Sequence, residues 1–258
     1  MAKRKTSEEI ALMAQGGSIL SEVLLLVARA TVVGVDIRDL DRMAEEALRV
    51  RGATPSFKGY VGHPGETPFP STLCVSINDE VVHGRGDRPI VIQDGMVVSL
   101  DIGCWFQGLC TDMATTVLIG NVSEEVKQLR EVTHAALLAG IQASLPGVSV
   151  QTVSRAISDT IRPHGYGVVR DLVGHGVGHA VHESPQIPNF IDRSARDVRL
   201  EAGMCVAIEP MVTLGGWEVE TGEDGWAVVT SDGSTSAHIE ATIAITDQGP
   251  QILTPIVF

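Results

Sequence analysis

The hydrophobic pattern predicts two helices near the N-terminus. A capping box at Thr6-Ser7-Glu8-Glu9 precedes apolar residues that recur at helical spacing, which indicates a long first helix broken near Gly34. A second, amphipathic helix is predicted from about Asp36 to Arg51, ending at Gly52. The stretch 53–70 is rich in glycine and proline and is predicted to be a loop.

Strand-like runs follow from Leu73 to Leu118. The apolar run 95–101 opens at a glycine turn and ends on Asp101, and a further run begins at Asp112. Gly103 and Gly108 lie between these acids and would permit a hairpin that directs both carboxylates into one space. A lone acid after a strand is more often a turn cap than a site residue.

The second half of the chain repeats this order, which weakens the turn-cap interpretation. The run 203–209 ends on Glu209 as 95–101 ends on Asp101, and Glu240 begins a last apolar run. A shift of 113 residues carries Gly34, Ile37, Leu40, Leu48 and Gly52 onto Gly147, Val150, Val153, Ile161 and Gly165. We therefore predict one domain over residues 1–258 with two αβ halves, about 6–120 and 121–258, that face each other across a shared site.

Composition narrows the class of protein. The 258 residues are 44% hydrophobic and 20% charged, which suits one large core. A net charge of −13 and a pI near 5.0 argue against a general nucleic-acid or anionic-membrane surface. The basic start Lys3-Arg4-Lys5 is too short to argue for a ribosome contact, which would have to be local and transient.

The cysteines and apolar runs bear on the compartment. The four cysteines form no CxxC pair, and at least two lie in predicted core strands, so we expect reduced cysteines and a cytoplasmic protein. We expect no membrane span, because no apolar run approaches the necessary length, and no secretory leader.

Four predicted buried acids suggest a metal centre. Asp101, Asp112, Glu209 and Glu240 could not all stay ionised close together without cations, because like charges raise one another's pKa. Two divalent ions would resolve this. Carboxylate ligands with few nitrogens and no thiolate suit Co, Mn, Fe or a catalytic Zn pair.

Nitrogen ligands are expected from the segment 174–183. Its glycines disfavour a helix and predict an extended strand. The segment does not match the dinucleotide-binding motif G-x-G-x-x-G, because His179 stands at the third glycine position. An isolated histidine is more often a hydrogen-bonded structural residue. Beside four candidate ligands we assign His175 and His182 to the site and give His179 no role. His83, at a strand end, is unremarkable alone, and His63, His134, His164 and His238 carry no usable signal.

The nucleophile is expected to be water. The chain has no Gly-x-Ser-x-Gly elbow, and no cysteine has the sequence context of a nucleophile. A metal pair lowers the pKa of bound water and polarises a carbonyl, as peptide hydrolysis requires.

The motifs together resemble type I methionine aminopeptidase over almost the whole chain. They are Ser76-Ile77-Asn78, His83-Gly84, Leu100-Asp101-Ile102-Gly103, Asp112, Gly174-His175-Gly176-Val177-Gly178, His182-Glu183, Pro185, Ile208-Glu209-Pro210 and Glu240. The resemblance implies an α+β "pita-bread" fold, a curved antiparallel sheet backed by helices with pseudo-twofold halves. It also implies a hydrolase that excises the initiator methionine from nascent polypeptides when the next residue is small.

The resemblance further implies residue roles. Asp112 and Glu240 would bridge two divalent ions, Asp101 would chelate one ion, and His175 and Glu209 would hold the other. A metal-bridging hydroxide would attack the first peptide carbonyl while Glu209 takes up its proton. His182 would stabilise the tetrahedral intermediate and His83 would contact the scissile amide.

Further positions follow from the same resemblance. The methionine pocket would include Tyr60, Phe69, Cys74 and Trp226, and Asn78 and Ser236 match positions that hold a structural monovalent cation. Val181 stands where relatives often carry an aromatic residue, and the loop from Val61 to Thr67 looks longer than usual. We expect a monomer.

Two alternatives remain. A proline-directed peptidase of the aminopeptidase P or prolidase kind shares the fold, but it usually carries an extra N-terminal domain for which this chain has no room. A non-catalytic binding relative is the other, which the complete set of ligands disfavours.

Overall fold

A computed structural model describes residues 3–62, 65, 67–192, 194 and 197–258. Within these residues the α-helices are α1 (Ser7–Ala30), α2 (Ile37–Val50), α3 (Glu124–Ala143) and α4 (Val150–Ile161). The strands of the first half are β1 (Thr54–Pro55), β2 (Leu73–Ile77), β3 (Glu80–Val82), β4 (Val97–Phe106) and β5 (Leu109–Leu118). Those of the second half are β6 (Gly167–Val168), β7 (Gly174–Gly176), β8 (Glu183–Ile187), β9 (Cys205–Ile208), β10 (Met211–Thr213), β11 (Val219–Thr221), β12 (Val228–Thr230), β13 (Ser236–His238), β14 (Glu240–Thr246) and β15 (Gly249–Ile252).

The predicted helices are confirmed, and their caps explain where they begin. Thr6 caps α1, and its hydroxyl and the Glu9 carboxylate form the reciprocal capping box. Asp36 caps α2 and Ser149 caps α4, each by accepting a hydrogen bond from the amide two residues on. These two caps lie at the offset by which the sequence repeats.

The central sheet contains the strand order β1-β4-β5-β14-β9-β7-β8, with β2 added beside β4 and β15 beside β14. Its pairings are antiparallel. Helix α1 packs on β4 and β5, whereas α3 contacts β9, β13 and β14 and packs on α4. Each half of the chain therefore contributes two helices and two of the four central strands.

Within the central sheet, the halves meet where β5 runs beside β14. Only two residue pairs form this ladder, Glu240 with Ala114 and Ala241 with Met113. The hydroxyl of Thr242 extends the junction, because it accepts a hydrogen bond from the Asp112 amide at 3.0 Å and donates one to the Asp112 carbonyl at 2.8 Å. Both central strands carry an acid of the predicted metal centre at this junction.

The hairpin between Asp101 and Asp112 forms, but only one of the two predicted glycines makes its turn. Gln107 and Gly108 both have positive φ, as a two-residue type I′ turn requires. Gly103 lies inside β4, opposite Asp112. It has no room for a side chain, because a Cβ there would lie 2.2 Å from the Ser56 hydroxyl.

The expectation that no segment has the length and composition of a membrane span is wrong for α1. This 24-residue helix has a mean hydropathy of 1.8 in its most apolar window and meets that criterion by length and composition alone. One such helix is weak evidence, since core helices of soluble proteins meet the same criterion. Here Met13, Leu20, Leu24 and Val27 are buried against the rest of the protein.

Candidate metal centre and active site

Asp101 and Asp112 lie on one face of the β4–β5 hairpin. The register pairs Asp101 with Ala114 and Gly103 with Asp112, which places the two acids diagonally on the same side of the ladder. Both side chains are buried, and the charge of Asp112 adds to the effect of burial in raising the pKa of Asp101. Two buried acids on one face repel each other when both are ionised.

Glu209 and Glu240 approach the same face from the second half. Glu240 is opposite Ala114 on β5, and the pairing of Ala241 with Ile208 puts Glu240 beside Glu209. The amide group of Asn189, a fully buried residue, donates to the Glu209 carbonyl at 2.9 Å and fixes the chain just after β9. The four acids thus converge across the junction of the halves, as the sequence predicts.

Burial raises the pKa of all four carboxyl groups in the cluster. It raises the pKa of Asp101, Glu209 and Glu240 well above their usual range, and the charge of Asp112 adds to the rise for all three. Burial also raises the pKa of Asp112, to about 7. The cluster would consequently hold protons near neutral pH unless cations replace them.

The donor atoms of the cluster suit divalent metal ions. One oxygen each of Asp101, Asp112 and Glu240 is buried and has no hydrogen-bond partner among the described residues. Donor atoms of Asp112, His175 and Glu240 lie within 4.8 Å of one another, as do those of Glu209, His238 and Glu240. Carboxylate oxygens with one or two imidazoles match Mn, Fe, Co or catalytic Zn, so the residues fit the predicted cofactor.

His175 is presented to the acids by β7, so the extended strand predicted over 174–183 forms only at its start, and residues 178–182 bend before β8. Gly174 and Gly176 allow this, because a Cβ at either position would lie within 2.5 Å of a backbone oxygen of Ala207 or Ser184. Nδ1 of His175 lies 2.9 Å from the Gly176 carbonyl and donates to it, while Nε2 faces Glu209 Oε1 at 3.4 Å. Burial lowers the pKa of His175 to about 3, so Nε2 keeps a free lone pair, as a metal ligand requires.

His83 and His182 lie beside the acids in the same cavity. His83 follows β3 with φ of 59°, and burial, with a contribution from His182, lowers its pKa to about 4. The rings of His182 and His175 meet edge to face at 4.4 Å between centroids. Both histidines line the cavity that holds the four acids.

His238 is a site residue that the sequence analysis missed. It is buried, and its Nε2 lies 3.7 Å from Glu209 Oε2 and 3.9 Å from Glu240 Oε2. Burial lowers its pKa to about 3, so the ring is neutral. Its spacing from Glu240 is the signal in the sequence, because residues two apart in extended chain share a face, although the structure places His238 at the end of β13 and Glu240 at the start of β14.

The predicted methionine pocket forms one wall of a cavity of about 530 Å³. Tyr60, Phe69, Cys74 and Trp226 all line it, and Phe69 meets Trp226 edge to face at 5.1 Å. Phe57, Val181 and Met211 also line it; neither Phe57 nor Met211 was predicted. Burial raises the pKa of the Cys74 thiol well above its usual range, so Cys74 contributes packing and not a nucleophile.

The remaining predicted positions lie away from the acids. Asn78 and Ser236 are adjacent, since the Ser236 amide and hydroxyl both donate to the Asn78 carbonyl. His179 is bonded to Glu9 at 2.8 Å, in keeping with its lack of an assigned role. The loop 61–67 includes His63, Pro64 and Glu66, which lie outside the described residues.

Comparison with known proteins accounts for this arrangement. The model of metallopeptidase family M24 matches residues 11–247. The chain belongs to this family. Its similarity to family members extends over nearly the full length, so the antiparallel sheet with its paired halves is the predicted pita-bread fold.

Individual relatives match this chain in sequence and in structure. A methionine aminopeptidase of Clostridium perfringens is 44% identical over 252 residues, covering 98% of each chain. The crystal structure of a methionine aminopeptidase from Thermotoga maritima superposes with a TM-score of 0.92 at 40% identity, covering 98% of this chain and 99% of that one. A prolidase from Pyrococcus furiosus, with a TM-score of 0.77, 21% identity and 66% of its length covered, shares the fold alone.

Proposed function

We propose that this chain is a metal-dependent aminopeptidase that removes the N-terminal methionine of nascent polypeptides when the second residue is small. The observation that carries the proposal is the convergence of Asp101, Asp112, His175, Glu209 and Glu240 on one cavity that also has an apolar wall. The similarity to methionine aminopeptidases over 98% of the chain supports the substrate class.

The five converging residues would hold two divalent ions. Asp112 and Glu240 would be shared between the ions, Asp101 would serve one, and His175 with Glu209 the other. When bound, such ions lower the pKa of water and polarise the carbonyl under attack. The buried carboxylate oxygens that find no donor within the described ranges support this assignment, since a buried acceptor without a partner is otherwise costly.

The protein's own groups would handle protons and position the substrate. Glu209 would accept the proton of the attacking water and return it to the leaving amine, because its carboxylate lines the cavity, with Oε1 3.4 Å from Nε2 of His175. His182 would donate to the carbonyl oxygen as negative charge develops there, and His83 would bind the scissile amide.

The apolar wall would bind the methionine side chain. The edge-to-face pair of Phe69 and Trp226, together with Tyr60 and Cys74, offers the surface that a flexible thioether contacts well. We further propose that Asn78 and Ser236 adjoin a structural monovalent cation, and that the protein acts as a cytoplasmic monomer.

Peptide cleavage tests the proposal against its nearest rival. Metal-stripped protein is titrated anaerobically with Fe, Mn, Co or Zn and given Met-Ala-Ser, Met-Leu-Ser and Ala-Pro-Ser. We expect release of methionine from Met-Ala-Ser, much less from Met-Leu-Ser, and no cleavage before proline. Cleavage of Ala-Pro-Ser alone would instead identify a proline-directed peptidase, and no turnover with any metal would favour a binding protein.

A further inference from the structure

Lys5 joins the N-terminal segment to the loop that carries His182. Its side chain is only 1% exposed, and Nζ lies 2.7 Å from Oε2 of Glu183. Its backbone amide donates to the carbonyl of Gly203 at 2.7 Å, which ties the same residue to the turn before β9. A lysine is rarely buried to this extent unless it is paired, so the contact is a specific one.

Glu183 in turn closes the loop that ends at His182. Its second oxygen, Oε1, accepts hydrogen bonds from the amides of His179 at 2.6 Å and Ala180 at 2.9 Å. The carboxylate therefore fixes a compact turn over 179–183, and the Lys5 ammonium neutralises it. Since Glu183 follows His182 directly, these contacts restrain the backbone that carries the His182 side chain.

The stem of Lys5 also fills the space under the loop. Gly178 has a φ of 140°, and a Cβ there would lie 2.3 Å from Cε of Lys5 and 3.3 Å from Sδ of Met13. Glycine at this position lets the loop lie directly on the lysine stem. Loss of the stem would leave a void under backbone that supports His182.

We propose that Lys5 is a positioning residue for His182. Through Glu183 and the turn 179–183, it holds the imidazole between His175 and Tyr60, where the rings of His182 and Tyr60 meet at 5.3 Å. Lys5 itself does not line the active-site cavity. The inference rests on the proposed function for its kinetic consequence, whereas its structural part stands on the contacts above.

The test compares Lys5→Met with Lys5→Arg and a control in the same segment. Lys5→Met should lower kcat about tenfold, the effect typical of a lost supporting contact at an active site, and leave KM nearly unchanged. Lys5→Arg keeps the charge and should recover much of the rate. Arg4→Met is the control, because Arg4 lies next to Lys5 and pairs with Glu201 at 3.5 Å through exposed side chains.

A double-mutant cycle establishes the route of the effect. In Glu183→Gln, the side-chain oxygen can still accept from the two loop amides but no longer pairs with a cation. Adding Lys5→Met to this variant should cost much less than adding it to the wild type, because the two residues act as a unit. Equal costs in both backgrounds would overturn the proposal.

Imidazole NMR of metal-free protein separates this inference from the proposed function. Lys5→Met and Glu183→Gln should shift the His182 ring resonances, whereas Arg4→Met should not. Should Lys5→Met fail to fold, Lys5→Arg and Glu183→Gln carry the comparison. Unchanged His182 resonances in Glu183→Gln would refute the positioning role. If the variants shift these resonances but the wild-type protein has no aminopeptidase activity, only the proposed function is refuted.

Discussion

The hydroxyl of Tyr60 lies 2.7 Å from Nδ1 of His182, on the cavity side of the loop that His182 terminates. A neutral imidazole that accepts at Nδ1 carries its proton on Nε2. We assign the Tyr60 hydroxyl as the donor, the direction that the proposed role of His182 requires, so that Nε2–H is left to approach a substrate carbonyl.

Tyr60→Phe tests this bond without removing the ring. We expect kcat to fall about threefold to tenfold, which corresponds to loss of one neutral hydrogen bond, with little change in the KM of a methionyl peptide. Tyr166→Phe is the matched control, because Tyr166 bonds Gln128 outside the cavity. A rise in KM with unchanged kcat would assign Tyr60 to substrate binding alone.

Asp101→Asn and His182→Ala should separate metal binding from turnover. Asp101 presents a buried oxygen that has no hydrogen-bond partner in the described part of the chain, so we expect removal of its negative charge to reduce metal content severely. His182→Ala should keep its metal and lose rate. Metal analysis of dialysed protein beside steady-state kinetics measures both, and equal metal loss in the two variants would contradict the assignment.

His238→Ala should weaken metal binding although His238 was not a predicted ligand. Its neutral ring lies within 3.9 Å of carboxylate oxygens of both Glu209 and Glu240. We expect roughly a tenfold loss of affinity, as for other residues that orient metal ligands, measured by calorimetric titration of Mn into metal-free protein. Unchanged affinity would leave His238 a packing residue only.

The stability of metal-free protein should fall as the pH rises towards the raised pKa of the buried acids. Burial raises the folded-state pKa of Asp112 from 3.8 to about 7, so the folded form binds its proton more tightly than the unfolded chain does. The resulting contribution is complete at low pH and is lost as the pH rises towards the folded pKa. We expect Tm to decline between pH 5 and pH 8 more steeply in the wild type than in Asp112→Asn.

Added metal should reverse that decline, because its binding displaces protons. Saturating Mn is therefore expected to raise Tm more at pH 8 than at pH 5. Thermal scans with and without Mn at both pH values measure the difference. An increase of the same size at both would show that the cluster does not release protons on binding.

The site residues that the sequence predicts share one property: each interrupts the local pattern of the sequence around it. Asp101 and Glu209 end apolar runs, and His175 lies between glycines that no helix would tolerate. The internal repeat then gave their arrangement. His238 interrupts no such pattern, because it lies among strand residues. Its spacing from Glu240 is the one feature of the sequence that points to it.

Long-range contacts explain the other misses. Lys5 and Glu183 are 178 residues apart, and a lysine in a short basic run is ordinarily a surface residue. Phe57 lies in a predicted loop and reaches the cavity only because that loop folds over β4. No hydrophobic periodicity around Lys5, Glu183 or Phe57 predicts these contacts.

The ladder of only two residue pairs between β5 and β14 gives the metal centre a mechanical significance. An ion bound by both Asp112 and Glu240 would cross-link the halves at this short ladder. Amide hydrogen exchange along both central strands should then slow together when metal is added. In that case the cofactor needed for hydrolysis would also hold the two repeats in register.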